Sequence, residues 1–204
     1  MGNSQTTARS TLFTLLFLLL SAVPLRAQAG VFLSEREAVK EVFPDAASVA
    51  QESFRPTTQE RSAMEAGLQR ELTESAYPVL LIYDASRRFL GYAMVTEERG
   101  KYRPITFLVG ITPQMRVKDT AVMVYRESRG GQVRSPRFLN QYRGKTLDDP
   151  IRTNRDIINI SGATISVHSM NAGVRKALMV VQTVYGTSPP RLAAAELKPL
   201  GSLR

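Results

Sequence analysis

The residue types best suited to chemistry stand directly before a predicted helix, in the sequence Ser161-Gly162-Ala163-Thr164. Glycine and alanine leave the backbone uncrowded there, and the first turn of a helix has unpaired N–H groups and a partial positive charge. A phosphate binds readily at such a point, beside the Thr164 hydroxyl. A plain capping segment without a ligand, with Thr164 or Ser166 as the N-cap, explains the same residues.

Composition excludes several other kinds of chemistry. The chain has no cysteine, which removes thiolate catalysis, iron–sulfur clusters and zinc–thiolate sites, and its single histidine, His168, argues against a histidine-rich metal site. Neither a C-x-x-C-H haem sequence nor a hydrolase nucleophile elbow occurs. His168 lies one helical turn after Thr164, so it is a candidate for tuning proton uptake near a ligand. A surface histidine without a role is the alternative.

The elements that must position this motif are predicted from capping and periodicity. Ser34 and Glu37 form a capping box for a short helix ending at Pro44, and an apolar stripe at every fourth residue predicts a second helix over 57–75. Segments rich in β-branched and aromatic residues then predict four strands of an antiparallel meander. These strands span 77–84, 89–98, 103–112 and 117–128.

The rest of the chain completes the predicted fold. The fourth strand alternates Thr120, Val122 and Val124 against Ala121, Met123 and Tyr125. A glycine-bearing loop, a short helix near 136–142, an extended segment over 151–160 and a helix over about 165–184 follow. We therefore predict an α+β fold, in which helices cover an antiparallel β-meander and the Ser-Gly-Ala-Thr turn begins the C-terminal helix.

The ends of the chain differ from its centre. Residues 1–29 show a basic start, a short apolar run and an A-x-A sequence, the three parts of a secretory signal peptide. We expect export to the periplasm or another extracytoplasmic space with cleavage before Gly30, and an uncleaved membrane anchor is the alternative. The remainder is predicted to comprise a helical segment over 30–75, the main domain over 76–186 and a flexible tail over 187–204.

The charge of the chain is +9, and basic residues cluster between Arg126 and Arg155. This basic patch suits an anionic ligand, an acidic partner or peripheral contact with an anionic membrane, and a solvated basic face is the alternative. Nucleic acid is not an expected partner, because export removes the usual target and no groove-reading motif occurs.

The segment from about Tyr92 to Leu178 resembles the FMN-binding domain family, which flavin subunits of sodium-pumping and Rnf-type oxidoreductases share with small exported proteins. The sequences GYAMV, GKYRPITFLVGI, YRESRGGQV, FLNQYRGKTLDDP and SGATIS occur in the family's order and spacing. The resemblance makes 76–186 an FMN-binding domain. It also implies that an FAD-dependent flavin transferase joins the phosphate of FMN to the side-chain oxygen of Thr164.

Two loops are expected to contact the flavin on the strength of this resemblance. The motif loop would hold the phosphate, and the loop after the fourth strand would approach the ring through its glycines, although a flexible hairpin connection is the alternative. The cofactor-binding residues so predicted are Thr164, Ser161, Gly162, Ala163, Ser166, Glu127, Ser128, Gly130, Gly131 and His168.

One position departs from the family pattern. Family members usually carry an acidic residue three positions before the motif, where this chain has Ile158, with Asp156 two residues further upstream. Either Asp156 substitutes for the acid through a local shift, or recognition by the transferase is weakened.

These features together predict an exported electron-transfer flavoprotein with covalent FMN, acting as a carrier rather than as a stand-alone enzyme. Its partners would be the flavin transferase, a membrane redox complex, and a cytochrome or other acceptor. The first alternative is a non-flavinylated anion- or protein-binding module of the same fold. The second is an enzyme that reduces a small acceptor through non-covalent FMN.

Overall fold

The computed structural model describes residues 30–187, 190 and 197–203, so the predicted signal peptide lies outside the described residues. Seven strands form one antiparallel sheet in the order β1-β6-β5-β4-β3-β2-β7. The strands are β1 (Gly30–Val31), β2 (Ser48–Phe54), β3 (Tyr77–Tyr83), β4 (Phe89–Arg99), β5 (Pro104–Ile111), β6 (Val117–Tyr125) and β7 (Lys198–Pro199). The helices are α1 (Glu35–Val42), α2 (Thr58–Leu68), α3 (Pro136–Leu139) and α4 (Thr164–Tyr185).

The sheet is covered by helices on both faces. The long helix α4 crosses β4 and β5 and packs against α2 on one face, while α1 packs against β5 and β6 on the other. Each face has its own cluster of buried apolar side chains. The predicted α+β fold with a β3-to-β6 meander is therefore confirmed. No helix within the described ranges is both long enough and apolar enough to span a bilayer.

Strand β2 was not expected, because 30–75 was predicted to be helical between its loops. Its sequence mixes buried Val49 and Ala50 with exposed Gln51, which gives no clean alternation. Pairing with β3 along its whole length, from Ser48 opposite Tyr83 to Phe54 opposite Tyr77, supplies the main-chain hydrogen bonds that hold it. The strand thus depends on a partner that is distant in sequence.

Part of the predicted flexible tail is held by this same strand. Residues of β7 pair with Ser48 and Val49, and the backbone N–H of Leu200 donates to the carbonyl of Ala47 at 3.0 Å. The Leu200 side chain is buried in the cluster under α1. The segment 197–203 therefore differs from the loose end that its composition suggested, because one apolar anchor and a short strand pairing fix it to the sheet.

A β-bulge breaks the alternation predicted for the fourth strand. Val124 pairs with Thr106 and Val122 with Phe107, so Met123 has no partner across the ladder. Val122 and Tyr125 consequently lie in the cluster under α4, whereas Met123 belongs to the cluster under α1. The bulge thereby places Tyr125 on the α4 face of the sheet.

The segment 151–160 forms a turn rather than the predicted extended chain. The Asp156 carboxylate accepts the backbone N–H groups of Ile151 at 3.1 Å and Arg152 at 2.8 Å, and it pairs with Lys145 at 2.8 Å. Ile151 adopts a φ of 44°, which is uncommon for a β-branched residue. Burial would raise the pKa of Asp156, but these hydrogen bonds outweigh it and hold that pKa below its ordinary value.

A buried charge network fixes the middle of α4 to the sheet. Lys176 is 2% exposed and pairs with Glu74 and, at 2.8 Å, with Glu98 on β4. Arg70 makes a two-pronged contact with the same Glu98 at 2.8 and 2.9 Å. About two turns earlier in α4, a hydrogen bond from the Ser169 hydroxyl to the Arg99 carbonyl at 2.6 Å ties the helix to the end of β4.

Candidate functional site

The two loops predicted to contact a flavin meet at one end of the sheet. The loop after β6 and the turn before α4 form the walls of a groove of about 630 Å³. This volume falls within the range of roughly 300–1,000 Å³ that is usual for small-molecule sites. The groove is lined by Lys101, Tyr102, Glu127, Ser128, Arg129, Gly162, Ala163, Thr164, Ile165 and Ser166.

A second depression continues from the first. It has a volume of about 600 Å³ and shares Ser128, Arg129 and Gly162 with the groove. Gly130, Gly131, Gln132 and Ser161 complete its lining. The structure thus brings together nine of the ten predicted cofactor-binding residues. The tenth, His168, is exposed on α4 and lines neither depression.

Thr164 is the first residue of α4, and its side chain is exposed. The residue at the N-cap is Ala163, no side chain caps the helix, and no acidic residue lies in its first turn. The N–H groups of the first turn therefore have no intramolecular side-chain acceptor, and the residues of this turn line the groove. This arrangement disagrees with the capping alternative, because neither Thr164 nor Ser166 serves as an N-cap.

The Thr164 hydroxyl has one side-chain hydrogen-bond partner among the described residues. Its Oγ1 accepts a hydrogen bond from the Asn159 amide at 3.1 Å. Asn159 also accepts the backbone N–H of Ile160 at 2.9 Å, which fixes the amide beside the hydroxyl. Because Asn159 donates rather than accepts at this contact, the hydroxyl oxygen keeps a lone pair and its proton is free to leave.

Glycine is required at two points of the walls. Gly162 has a φ of 77° and Gly130 a φ of 84°, the left-handed region that side chains disfavour. A Cβ added to Gly130 would lie 2.6 Å from the Tyr125 hydroxyl oxygen and 2.9 Å from the Cβ of Ala163. The glycines of this loop were predicted to allow a close approach to a flavin ring. At Gly130 the structure shows a close approach between the two loops.

A buried hydroxyl pair joins the two walls. The Tyr125 hydroxyl donates to the carbonyl of Arg129 at 2.5 Å and lies 3.0 Å from Ser166 Oγ. Since the Tyr125 proton is used at Arg129, Ser166 is the donor of the second bond, and its hydroxyl proton points to Tyr125. Burial raises the pKa of Tyr125, and the bond from Ser166 only partly offsets this, so the phenol stays protonated.

Glu127 shapes the other rim of the groove. Its Oε1 accepts the backbone N–H groups of Tyr102 at 2.6 Å and Arg103 at 2.9 Å, in the turn between β4 and β5. A Cβ added to Gly100 would lie 2.5 Å from the same oxygen. The carboxylate predicted to lie near a flavin ring therefore also holds the turn that carries Lys101 and Tyr102.

The predicted basic patch is divided in the structure. Two of its members are neutralised, Arg143 by Asp119 and Lys145 by Asp156. By contrast, a set of exposed cations at or next to the β4–β5 turn and the end of β6 has no ion pair within the described part of the chain. We call these residues the cationic rim: Arg99, Lys101, Arg103, Arg126 and Arg129. Two of them, Lys101 and Arg129, line the groove, and their charge favours an anionic ligand or an acidic partner.

The residue at the family's acidic position has little structural role. The Ile158 side chain is 74% exposed, and its backbone N–H donates to the Gln141 side chain at 2.7 Å. The carboxylate of Asp156, the candidate substitute for this acid, is engaged by Lys145 and the turn backbone. Position 158 is thus open to solvent, and to any protein that approaches the motif from outside.

Sequence reasoning missed the contribution of the β4–β5 turn. Lys101 and Tyr102 line the groove, although the sequence GKYR predicted only the family resemblance and no contact with a ligand. The predicted meander could have indicated this contribution. In an antiparallel meander the β4–β5 turn and the end of β6 lie at the same end of the sheet. Ile165 was also missed. Among the described residues, no cluster of three or more metal-ligating side chains occurs.

Comparison with known proteins agrees with the family recognised from the sequence. Residues 100–179 match the family model described as "FMN-binding domain". Comparison with curated protein sequences gives no significant match. Among solved structures, the crystal structure of Shewanella oneidensis NqrC is similar, with a TM-score of 0.49 and 14% identity over 78% of this chain and 91% of that chain.

Proposed function

We propose that this protein, an FMN-binding domain protein by the match over residues 100–179, carries FMN attached through a phosphoester to Thr164 and transfers electrons. The observation that carries the proposal is the groove beside Thr164. An exposed hydroxyl stands there at an uncapped helix start, where free N–H groups and two lining cations, Lys101 and Arg129, suit a phosphate. The isoalloxazine ring supplies the redox chemistry, and the chain supplies binding and orientation.

The residues present fit the attachment reaction. Thr164 Oγ1 would bond to the FMN-side phosphorus of FAD, the bond from that phosphorus to the AMP oxygen would break, and the hydroxyl proton would leave to a base. Asn159 holds the hydroxyl by donating to it and is not a base. In this proposal the flavin transferase supplies the base, so attachment would require that second protein.

Export and redox partners form the outer part of the proposal. The signal-peptide pattern of residues 1–29 supports an extracytoplasmic location, where a membrane redox complex would donate electrons and a cytochrome or other acceptor would receive them. The cationic rim, of which Lys101 and Arg129 line the groove, suits acidic groups on such partners, or on an anionic membrane surface. Fractionation of cells and the mass of the mature N-terminus test the location.

The deciding experiment is the intact mass of the mature protein after co-expression with an exported FAD-dependent flavin transferase. We expect a gain of one FMN less one water on the parent and no gain on Thr164→Ala. The matched control is Thr57→Ala, which removes a threonine at the start of another helix and outside the groove lining, and it is expected to gain the same mass as the parent. Loss of the gain in Thr57→Ala, or retention of it in Thr164→Ala, contradicts the assignment.

A second function is favoured by the exposed Ile158. If the transferase needs an acid at this position, the natural chain stays unloaded and binds an anion or an acidic protein through the cationic rim. Ile158→Asp discriminates between the two functions. A mass gain on the parent supports the flavoprotein, whereas a gain on Ile158→Asp alone supports the non-flavinylated module.

A further inference from the structure

Large apolar side chains are rarely exposed in the described part of this chain, and two of the four that are exposed line the groove. Tyr102 is 72% exposed and Ile165 is 47% exposed, while Phe32 and Ile158 are outside the groove lining. Tyr102 lies on the β4–β5 turn and Ile165 lies next to Thr164 on α4. The two side chains therefore offer apolar surface to the same groove from two different elements of the fold.

The exposed Tyr102 is carried by a fixed backbone. Glu127 accepts the N–H groups of Tyr102 and Arg103 with one carboxylate oxygen, and the N–H of Gly100 donates to the Arg103 carbonyl at 3.1 Å. The Lys101 ammonium lies 4.9 Å from the centre of the Tyr102 ring. An aromatic ring held in this way beside a ligand groove is suited to stacking against a planar ligand.

We infer that Tyr102 stacks on the isoalloxazine ring of the flavin, with Ile165 contacting the ring from the α4 wall, and that Glu127 is the residue that positions Tyr102. This inference rests on the proposed function, because it places the ring in the groove whose phosphate end is Thr164. Glu127 would then act on the flavin through the turn it holds. Stacking also assigns a partner to the more exposed of the two large exposed aromatic side chains among the described residues.

The test uses the flavin-loaded protein and its fluorescence per bound flavin. Stacking on a tyrosine quenches flavin fluorescence, so Tyr102→Ala is expected to be severalfold brighter than the parent. Tyr102→Phe keeps the stacked ring and should protect the flavin from iodide quenching as the parent does, whereas Tyr102→Ala should not. The matched control Phe32→Ala removes an exposed aromatic outside the groove and should behave as the parent in both measurements.

The role of Glu127 has a separate readout. Glu127→Gln retains a side-chain oxygen that accepts the two N–H groups and should keep the parent fluorescence. Glu127→Ala leaves both N–H groups without this acceptor and should be as bright as Tyr102→Ala. If Glu127→Ala is folded by circular dichroism and as dim as the parent, Glu127 does not position Tyr102.

Intact mass, measured first on every variant, separates this inference from the proposed function. A parent that never gains FMN contradicts the proposed function and removes the basis for stacking. A loaded parent that is as bright and as accessible to iodide as its Tyr102→Ala variant overturns the stacking of Tyr102 alone, while attachment at Thr164 stands.

Discussion

The helices of this protein begin in two different ways. At α1 and α2, Ser34 and Thr57 accept the N–H of a glutamate three residues on, and that glutamate accepts the N–H of the capping residue. At α4, Ala163 holds the N-cap position, no side chain caps the helix, and its first turn has no acid. Structural helices thus satisfy their own first turn, whereas α4 leaves that turn available to a ligand.

The open start of α4 is possible because other contacts hold the helix. Capping residues typically contribute about 1 kcal/mol, which a long helix with a buried face can forgo. Lys176 with its carboxylates fixes the middle of α4, and the Ser166–Tyr125 contact fixes the turn after the motif. Stability and ligand binding are therefore assigned to different parts of one helix, and four predictions test this division.

The largest effect is expected at the buried charge network. Lys176→Ala leaves Glu98 buried beside Arg70 alone, and breaking a buried pair in this way costs about 3–5 kcal/mol of the free energy of unfolding. Denaturant unfolding measures the loss, with exposed Lys198→Ala as the control. If Lys176→Ala unfolds at the same denaturant concentration as the parent, α4 is not held by this network.

The next effect is expected where the two walls meet. Gly130→Ala brings a Cβ within 2.9 Å of Ala163 at a φ of 84°, so strain and overlap should lower the free energy of unfolding by about 3 kcal/mol. Gly162→Ala has a similar φ but open space, and should lose only about 1 kcal/mol. Thermal and denaturant unfolding measure both losses. If the two variants lose the same free energy of unfolding, the close contact between the loops does not contribute to the effect at Gly130.

The third prediction compares two threonines directly. Thr57→Ala removes an N-cap and should destabilise the unloaded protein by about 1 kcal/mol, while Thr164→Ala should change the free energy of unfolding by less than about 0.5 kcal/mol. Both values come from denaturant titrations of protein without flavin. A loss at Thr164 that equals the loss at Thr57 would mean that Thr164 is a structural cap after all.

The smallest effect concerns pH. Hydrogen bonds from the backbone N–H and hydroxyl of Thr57 lower the pKa of Glu60 below its ordinary value, and Ser34 does the same for Glu37. Because the folded pKa is depressed, this stabilisation is present above about pH 4.5 and is lost as the pH falls through the lower folded pKa. Glu60→Gln should reduce the pH dependence of the free energy of unfolding in that acidic window, as measured by denaturant unfolding at several pH values. An unchanged pH dependence would contradict a stabilising capping box at α2.

The sequence predicted the parts of the fold that depend on local pattern. The segments 77–128 carry enough β-branched and aromatic residues to identify β3 to β6, a capping box identified the start of α1, and an apolar stripe identified α2. Strand β2 and the anchor at Leu200 were missed because their stability comes from pairing with distant segments. The bulge at Met123 was missed because one extra residue leaves no trace in composition.

The candidate site shows the same division. The motif and the family resemblance identified both loops that meet in the groove, including Thr164 and Gly130. They did not identify Tyr102 as a groove residue. Tyr102 lies at the groove because the β4–β5 turn and the end of β6 are at the same end of the sheet. Nor did they show that the Ser166 hydroxyl is engaged with Tyr125, since that contact joins residues forty-one positions apart.

The Tyr125 hydroxyl, bonded to both Ser166 and Arg129, has a consequence for the thermodynamics of binding. It makes the loop after β6 and the start of α4 one ordered unit before any ligand arrives. The conformational entropy lost in ordering these walls is therefore lost during folding, and a ligand entering the groove does not oppose it a second time. A shallow, open groove can in this way retain a ligand with few contacts.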